Sequence, residues 1–251
     1  MKYTFSPLVS LLLIAAMSSC RTTPKTIEQI HAECDSLQKL SLSAFKADLR
    51  EVSYNYCNQA IHLDTTYWKN YCLKGYLNYL DKSFDSAVVA YEKFYQLNSR
   101  HDTLPNSMYR MARSYRELGQ YDRALVIAQE GLLINPNNFW LMDEVSLCYA
   151  LQKKYDLAEK WAMRELGTHY DDANAYFRLA WINGELGRTS KAIEYYENLL
   201  EIEPENPDAL NNLGIQYWNK NRRKAIELLV KAAKLGEEHA RNWCKENGYD
   251  Y

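Results

Sequence analysis

The sequence predicts an all-α fold built from repeated helix pairs, and three observations carry that expectation. A phrase recurs: "SKAIEYYENLLEIEPEN" at 190–206 returns as "DRALVIAQEGLLINPNN" at 122–138 and, degraded, as "DSAVVAYEKFYQLNSR" at 85–100. Aligning on it places an alanine at Ala87, Ala124, Ala158, Ala192 and Ala225, in steps of 37, 34, 34 and 33 residues. Twelve residues before the first four stand Gly75, Ala112, Ser146 and Ala180, and eleven before the last stands Gly214. A fixed period with small residues at two phases marks a repeat architecture. The third observation is composition: 47% hydrophobic and 25% charged residues, with nine Gly and six Pro among 251, describe a globular chain poor in loop formers.

The elements follow in chain order. "MKYTFSPLVSLLLIAAMSSC" carries an early Lys2, an apolar stretch from Leu8 to Met17, and small Ser18 and Ser19 before Cys20. That stretch is too short for a permanent membrane-spanning helix but suits a signal-peptide core. The ending resembles a bacterial lipoprotein signal, cut just before a lipid-modified cysteine. The resemblance implies a signal peptide over 1–19, a lipid on Cys20 and a polar tether over 20–26. Loss of Lys2 with the signal takes the formal charge from −2 to −3. Two or more acyl chains anchor stably, because each buried methylene contributes about 0.8 kcal/mol. Residue 21 is Arg and not Asp, so the resemblance does not imply retention at the inner membrane, and no acidic run follows Cys20. The expected location is the cell envelope, at the outer membrane, with the body facing the periplasm.

Residues 27–67 have helical periodicity but weak repeat phasing, and are expected to form a degenerate helix pair covering the open end of the stack. Five repeats are expected over 68–236. Turns such as "ELGQYD" (117–122) and "ELGRTS" (185–190) join the two helices of a unit, with Gly ending the first in a left-handed conformation. Small residues at the repeated phases let paired helices approach closely. Asn135-Pro136 and Glu203-Pro204 bias the chain out of helix before the next unit. Asn138, Asp172 and Asn206 are placed to cap the helices that follow, with Pro207 at a first helical position. The 37-residue step lengthens the loop near "NSRHDTL" (98–104). The unit starting at Phe139 has Tyr170 where others have Pro, so its last helix runs on or ends in "GTHYDD" (167–172). In the final unit "NKNRR" replaces the "ELG" turn, and a C-terminal capping helix is expected over 237–251.

This pattern resembles the tetratricopeptide repeat family, marked by an aromatic, Leu-Gly, Tyr, Ala, an aromatic and Pro. The copy over 173–206 supplies Tyr176, Leu179, Ala180, Ala192, Tyr196 and Pro204. The copy over 105–138 supplies Ala112, Tyr115, Gly119, Tyr121, Ala124 and Pro136. The resemblance implies a right-handed α-solenoid of helix-turn-helix repeats, with a protein or peptide partner in the concave groove formed by the first helix of each unit. That phase puts Tyr76, Tyr79, Tyr109, Arg113, Arg116, Trp140, Asp143, Phe177, Trp181, Asn211, Asn212 and Trp218 on or near the groove. Tyr, Trp and Arg are the residues enriched at binding hot spots, although about half of these aromatics are expected to pack between units instead. Some family members clamp a ligand's terminal carboxylates with Lys, Asn and Asn. The corresponding phases here read Cys72, Tyr76 and Arg110 in one pair of units, and Tyr109, Arg113 and Glu144 in the next, so that clamp is not present.

No catalytic grouping stands out. His31, His62, His101, His169 and His239 lack metal-ligand spacing, and no GxSxG, Walker or GxGxxG motif occurs. Asp171 and Asp172 directly precede "ANAYFRLA" and read as helix caps rather than paired catalytic carboxylates. The expectation is therefore not an enzyme, with no cofactor and no metal. A near-neutral balance of 30 basic and 32 acidic residues provides no global field for nucleic acid. Beyond Cys20 there are five cysteines, Cys34, Cys57, Cys72, Cys148 and Cys244; an odd number leaves at least one unpaired in a monomer. Cys57 and Cys72 are candidates to meet across neighbouring helices, but burial as small hydrophobes is the expected role. The function expected is a membrane-anchored envelope lipoprotein that binds a protein or peptide during envelope assembly, secretion or cell-wall maintenance. The alternative is a self-associating periplasmic scaffold without a groove ligand.

Overall fold

Apolar residues at helical spacing organise the chain into α-helices. A computed structural model describes residues 24–98, 104–168 and 172–251. The signal sequence, Cys20, His101, His169, Tyr170 and Asp171 lie outside the described residues, as does most of the lengthened loop after Asn98. Thirteen helices and no strand occur among those described. They are α1 (Ile27–Lys46), α2 (Arg50–Leu63), α3 (Trp68–Leu80), α4 (Phe84–Leu97), α5 (Leu104–Glu117), α6 (Tyr121–Ile134), α7 (Phe139–Leu151), α8 (Tyr155–Leu166), α9 (Asp172–Glu185), α10 (Thr189–Ile202), α11 (Pro207–Tyr217), α12 (Arg222–Lys234) and α13 (Glu238–Asn247). None of these is long and apolar enough to cross a membrane. The chain divides into two compact units, one ending at Asn70 and one starting at Tyr71.

In the first unit a capping box starts α1: Thr26 Oγ1 accepts from the Gln29 N–H at 3.3 Å, and the Gln29 side chain accepts from the Thr26 N–H at 3.0 Å. The α1–α2 contact is made by small residues, Cys34, Ser41 and Ala44 against Ser53, Cys57 and Ala60. This pair is less degenerate than its sequence suggests. Ser41 and Ser53 stand twelve residues apart, both fully buried, and Ser53 lies 34 residues before Ala87. Ser41 Oγ donates to the Ser53 carbonyl at 2.8 Å, and Ser146 makes the same bond to the Ala158 carbonyl at 2.9 Å. Residues 27–67 thus hold a further repeat unit in phase, disguised because serine replaces alanine.

The turns share one design. Leu49, Ser83, Gln120, Lys154 and Arg188 each donate a backbone N–H to the carbonyl five residues back, at 2.8–2.9 Å. The residue before each donor has positive φ: Asp48 (61°), Lys82 (56°), Gly119 (72°), Lys153 (59°) and Gly187 (69°). This is the helix-ending motif expected of Gly119 and Gly187, but three turns use a residue with a side chain.

In the second unit the five aligned alanines are fully buried. A methyl group at Gly75 would come within 2.7 Å of the Tyr91 ring, so only glycine allows α3 and α4 to approach this closely. Core clusters draw on three successive helices. Ala150 of α7 packs with Ala158 and Ala162 of α8 and Leu179 and Ile182 of α9. Ala180 of α9 packs with Ile193, Tyr196 and Leu199 of α10 and Ala209 and Leu213 of α11. Each fully buried Leu or Ile contributes about 1.5–3 kcal/mol, and one repeat alone cannot bury these faces. Asn138 and Asn206 cap as expected, accepting from the N–H groups of Leu141 at 3.1 Å and Ala209 at 2.9 Å. Asp172 is the first residue of α9. Helix α8 ends at Leu166 and so does not run on. The terminal helix is shorter than 237–251, stopping where Gly248 turns left-handed at φ 73°. None of the five cysteines forms a disulfide; Cys34, Cys57, Cys148 and Cys244 are buried, and half-buried Cys72 sits 3.3 Å from Ser107 Oγ.

Candidate functional site

The first helices of successive units, α5, α7, α9 and α11, pack in sequence within the second unit. Between them lies a cleft of about 470 Å³. Helix α5 contributes Tyr109, Arg113 and Arg116; α7 contributes Trp140, Asp143, Glu144 and Leu147; α9 contributes Asn174, Phe177 and Arg178. Glu203 and Asp208, flanking the start of α11, close the far end.

The cleft's charged floor is already paired. Arg116 Nε donates to Glu144 Oε2 at 2.7 Å and Nη2 to Oε1 at 3.5 Å, with side chains only 11% and 2% exposed. Burial pushes the Glu144 carboxyl up, opposed by the Arg116 guanidinium bonded to it. Arg116 is held firmly charged: burial works against its charge, and Glu144 more than offsets that. One step along, Arg178 Nε and Nη2 both donate to Asp143 Oδ1, at 3.0 and 2.9 Å. Such pairs fix the rotamers of four long side chains, and removing one partner leaves a buried charge unmatched.

The rim towards α3 is organised differently. Trp140 remains 39% exposed, with its ring 5.5 Å from that of Tyr109. Arg113 Nη1 donates to the Tyr109 hydroxyl at 2.8 Å. Burial pushes that hydroxyl up to about 12, although the Arg113 bond lowers it. The Arg113 guanidinium also lies 5.9 Å from the Tyr79 ring centroid, and that of Arg110 lies 4.6 Å over Tyr76.

Six of the twelve residues expected on the groove line this cleft: Tyr109, Arg113, Arg116, Trp140, Asp143 and Phe177. Two of the six, Arg116 and Asp143, are bound into ion pairs and are not spare ligand contacts. Tyr76 and Tyr79 stand on α3 beneath Arg110 and Arg113. The remaining four lie outside the cleft lining. Trp181 packs against the Ala150–Ile182 cluster. Trp218 meets Trp243 edge-on at 5.5 Å beneath the Arg222 guanidinium at 3.3 Å. Asn211 is buried, and its Nδ2 donates to Asn212 Oδ1 at 3.5 Å. The partners Glu144 and Arg178 were missed as groove residues. A usable signal existed: Asp143 and Arg178 are opposite charges 35 residues apart, close to one repeat length.

Comparison with known proteins agrees with this geometry. Residues 184–221 match the family model described as "TPR repeat", and residues 106–130 match "Tetratricopeptide repeat". Over 215 residues the chain is 27% identical to anaphase-promoting complex subunit 3 of Schizosaccharomyces pombe; the match covers 85% of this chain but spans only 30% of that relative's length. Among solved structures, PilW, described as a widely conserved type IV pilus biogenesis factor, superposes with a TM-score of 0.72 at 14% identity, covering 83% of this chain and 97% of PilW. YrrB, described as a TPR protein with an unusual peptide-binding site, superposes at 0.56 with 22% identity, covering 75% of this chain and 97% of YrrB. The fold is an all-α helical-repeat solenoid, of the class that serves as a protein-binding scaffold. Within that class, the repeats at 106–130 and 184–221 are of the tetratricopeptide type.

Proposed function

We propose that the chain is a membrane-anchored adaptor of a bacterial envelope that holds a peptide segment of a protein partner in the α5–α11 cleft. In this reading a lipid on Cys20 fixes it to the outer membrane with the repeats facing the periplasm. It recruits its partner for envelope assembly, secretion or cell-wall maintenance. The cleft carries the reading: an exposed Trp140 and an accessible Arg113 stand over a floor whose charges are already matched, so a ligand meets a rigid, prearranged surface. The peptide-binding site named for YrrB and the pilus-biogenesis role named for PilW support it by analogy of fold alone.

The test is crosslinking in the native cell from a photoreactive residue at Trp140, with mass spectrometry of the captured proteins, beside an Arg113→Ala control. One recurrent partner, lost in the control, is the expected result. Capture only of further copies of this chain, unaffected by the control, would replace the adaptor reading with the self-associating scaffold. The anchor is tested separately by metabolic labelling with an alkyne fatty acid, which should mark the wild type and not Cys20→Ala.

A further inference from the structure

Within the second unit the arginines of α5 differ in what they hold. Arg116 has Glu144, and also reaches Glu117 Oε1 at 3.0 Å. Arg113 comes no nearer to that same Glu117 carboxylate than 3.8 Å. Among the described residues Arg110 touches no carboxylate; its contacts are the Tyr76 ring and the Asn106 carbonyl at 3.4 Å. Exposed Lys82 adds a third positive charge, sharing with Arg113 a small recess of about 320 Å³ lined also by Tyr79, Phe84 and the single carboxylate of Glu117. At the other end of the main cleft the balance reverses, with Glu203 and Asp208 both exposed. The neutral floor lies between them, so the groove is positive towards α3 and negative at the start of α11.

We infer that the groove takes its peptide in a set direction, with acidic side chains of an internal segment seated on Arg110 and Arg113. This rests on the peptide-binding reading above and deepens it. Guanidinium groups backed by tyrosine rings are prearranged forks for carboxylates. Arg110 and Arg113 are three positions apart on one helix, about 5–6 Å between Cβ atoms. In an extended peptide the side chains of residues i and i+2 share one face about 7 Å apart, within the adjustment two flexible arginines allow. The favoured partner sequence therefore has Asp or Glu at alternate positions, with the chain beyond them running over Trp140 towards Asp208, where a basic residue fits.

The test pans a phage library of random linear decapeptides, displayed with their C-termini fused to the coat protein, over the full-length chain immobilised in detergent. Enrichment of Asp or Glu at two alternate positions is expected, about tenfold at each, the scale of a charge-assisted hydrogen bond. The Arg110→Gln, Arg113→Gln double variant should still select peptides but lose that preference, and the double Lys variant should keep it. The Gln variant should melt within about 4 °C of the wild type, because neither arginine is in a buried ion pair and the one bond lost to a buried partner is that of Arg113 to the Tyr109 hydroxyl. Peptides selected without an acidic preference would overturn this inference and leave peptide binding standing. Selection of no peptide at all would overturn both. An acidic preference that survives in the Gln variant would take the site away from these arginines. One that appears only in a library displayed with free C-termini would assign it to a terminal carboxylate.

Discussion

Arg113 and Arg116 stand three residues apart on α5, and their surroundings divide the cleft into two regions. On the floor, Arg116 and Arg178 each have a carboxylate from the neighbouring first helix, and little of either side chain reaches solvent. On the rim, Arg110 and Arg113 lie against tyrosines, and Arg113 is 41% exposed. The difference teaches that the same residue type serves architecture in one place and is left for recognition in the other. Neighbouring carboxylates, rather than helix position, decide which.

Arg116→Ala should divide the two regions most sharply. It strands Glu144 at 2% exposure and should cost about 3–5 kcal/mol in urea denaturation, as breaking buried pairs does. A loss below about 1 kcal/mol, the range of exposed pairs, would erase the distinction. Asp143→Ala comes next, at about 2 kcal/mol for bonds to a charged group at a more open site. Arg113→Ala should cost at most about 1 kcal/mol while weakening peptide capture. A larger stability loss there would mean that the rim is structural too.

A further effect appears only at alkaline pH. The Tyr109 hydroxyl is raised from its ordinary 10 to about 12, mainly by burial. A group raised in the folded state contributes stability that is intact below its unfolded value and lost as pH climbs through the folded one. Tyr109 should therefore begin to weaken the fold above pH 10 and finish doing so past about 12. The tyrosinate absorbance of the wild type minus that of Tyr109→Phe measures its midpoint. Because Arg113 lowers that midpoint, Arg113→Ala should move it higher still.

What was legible in the sequence is what repeats. Alanine at one phase and small residues twelve positions earlier located the helix contacts, because close backbone approach admits few side chains. Gly119 and Gly187 announced their turns for a similar reason. Ser41 and Ser53 escaped notice because serine at the same phases, hydrogen-bonded to the backbone, fits the space without matching the expected letter. The cleft was half legible. A phase places a residue on a face, but whether Trp140 stays open while Trp218 folds under Arg222 depends on neighbours contributed by other helices. In the sequence Glu144 stands only as a residue that fails to complete a clamp. Its burial against Arg116 is a property of two helices together, and no single-helix periodicity reports it.

Five turns follow one backbone path, yet only two have glycine where φ is positive; Asp48, Lys82 and Lys153 carry a side chain there, at about 1 kcal/mol or more each. An array of stacked units loosens first at its least comfortable joints. The joints at Lys82 and Lys153 should then act as its hinges, exchanging amide hydrogens ahead of those at Gly119 and Gly187. They lie on either side of the pair that carries Arg113 and Arg116, which leaves that pair as a stiff segment between two softer ones.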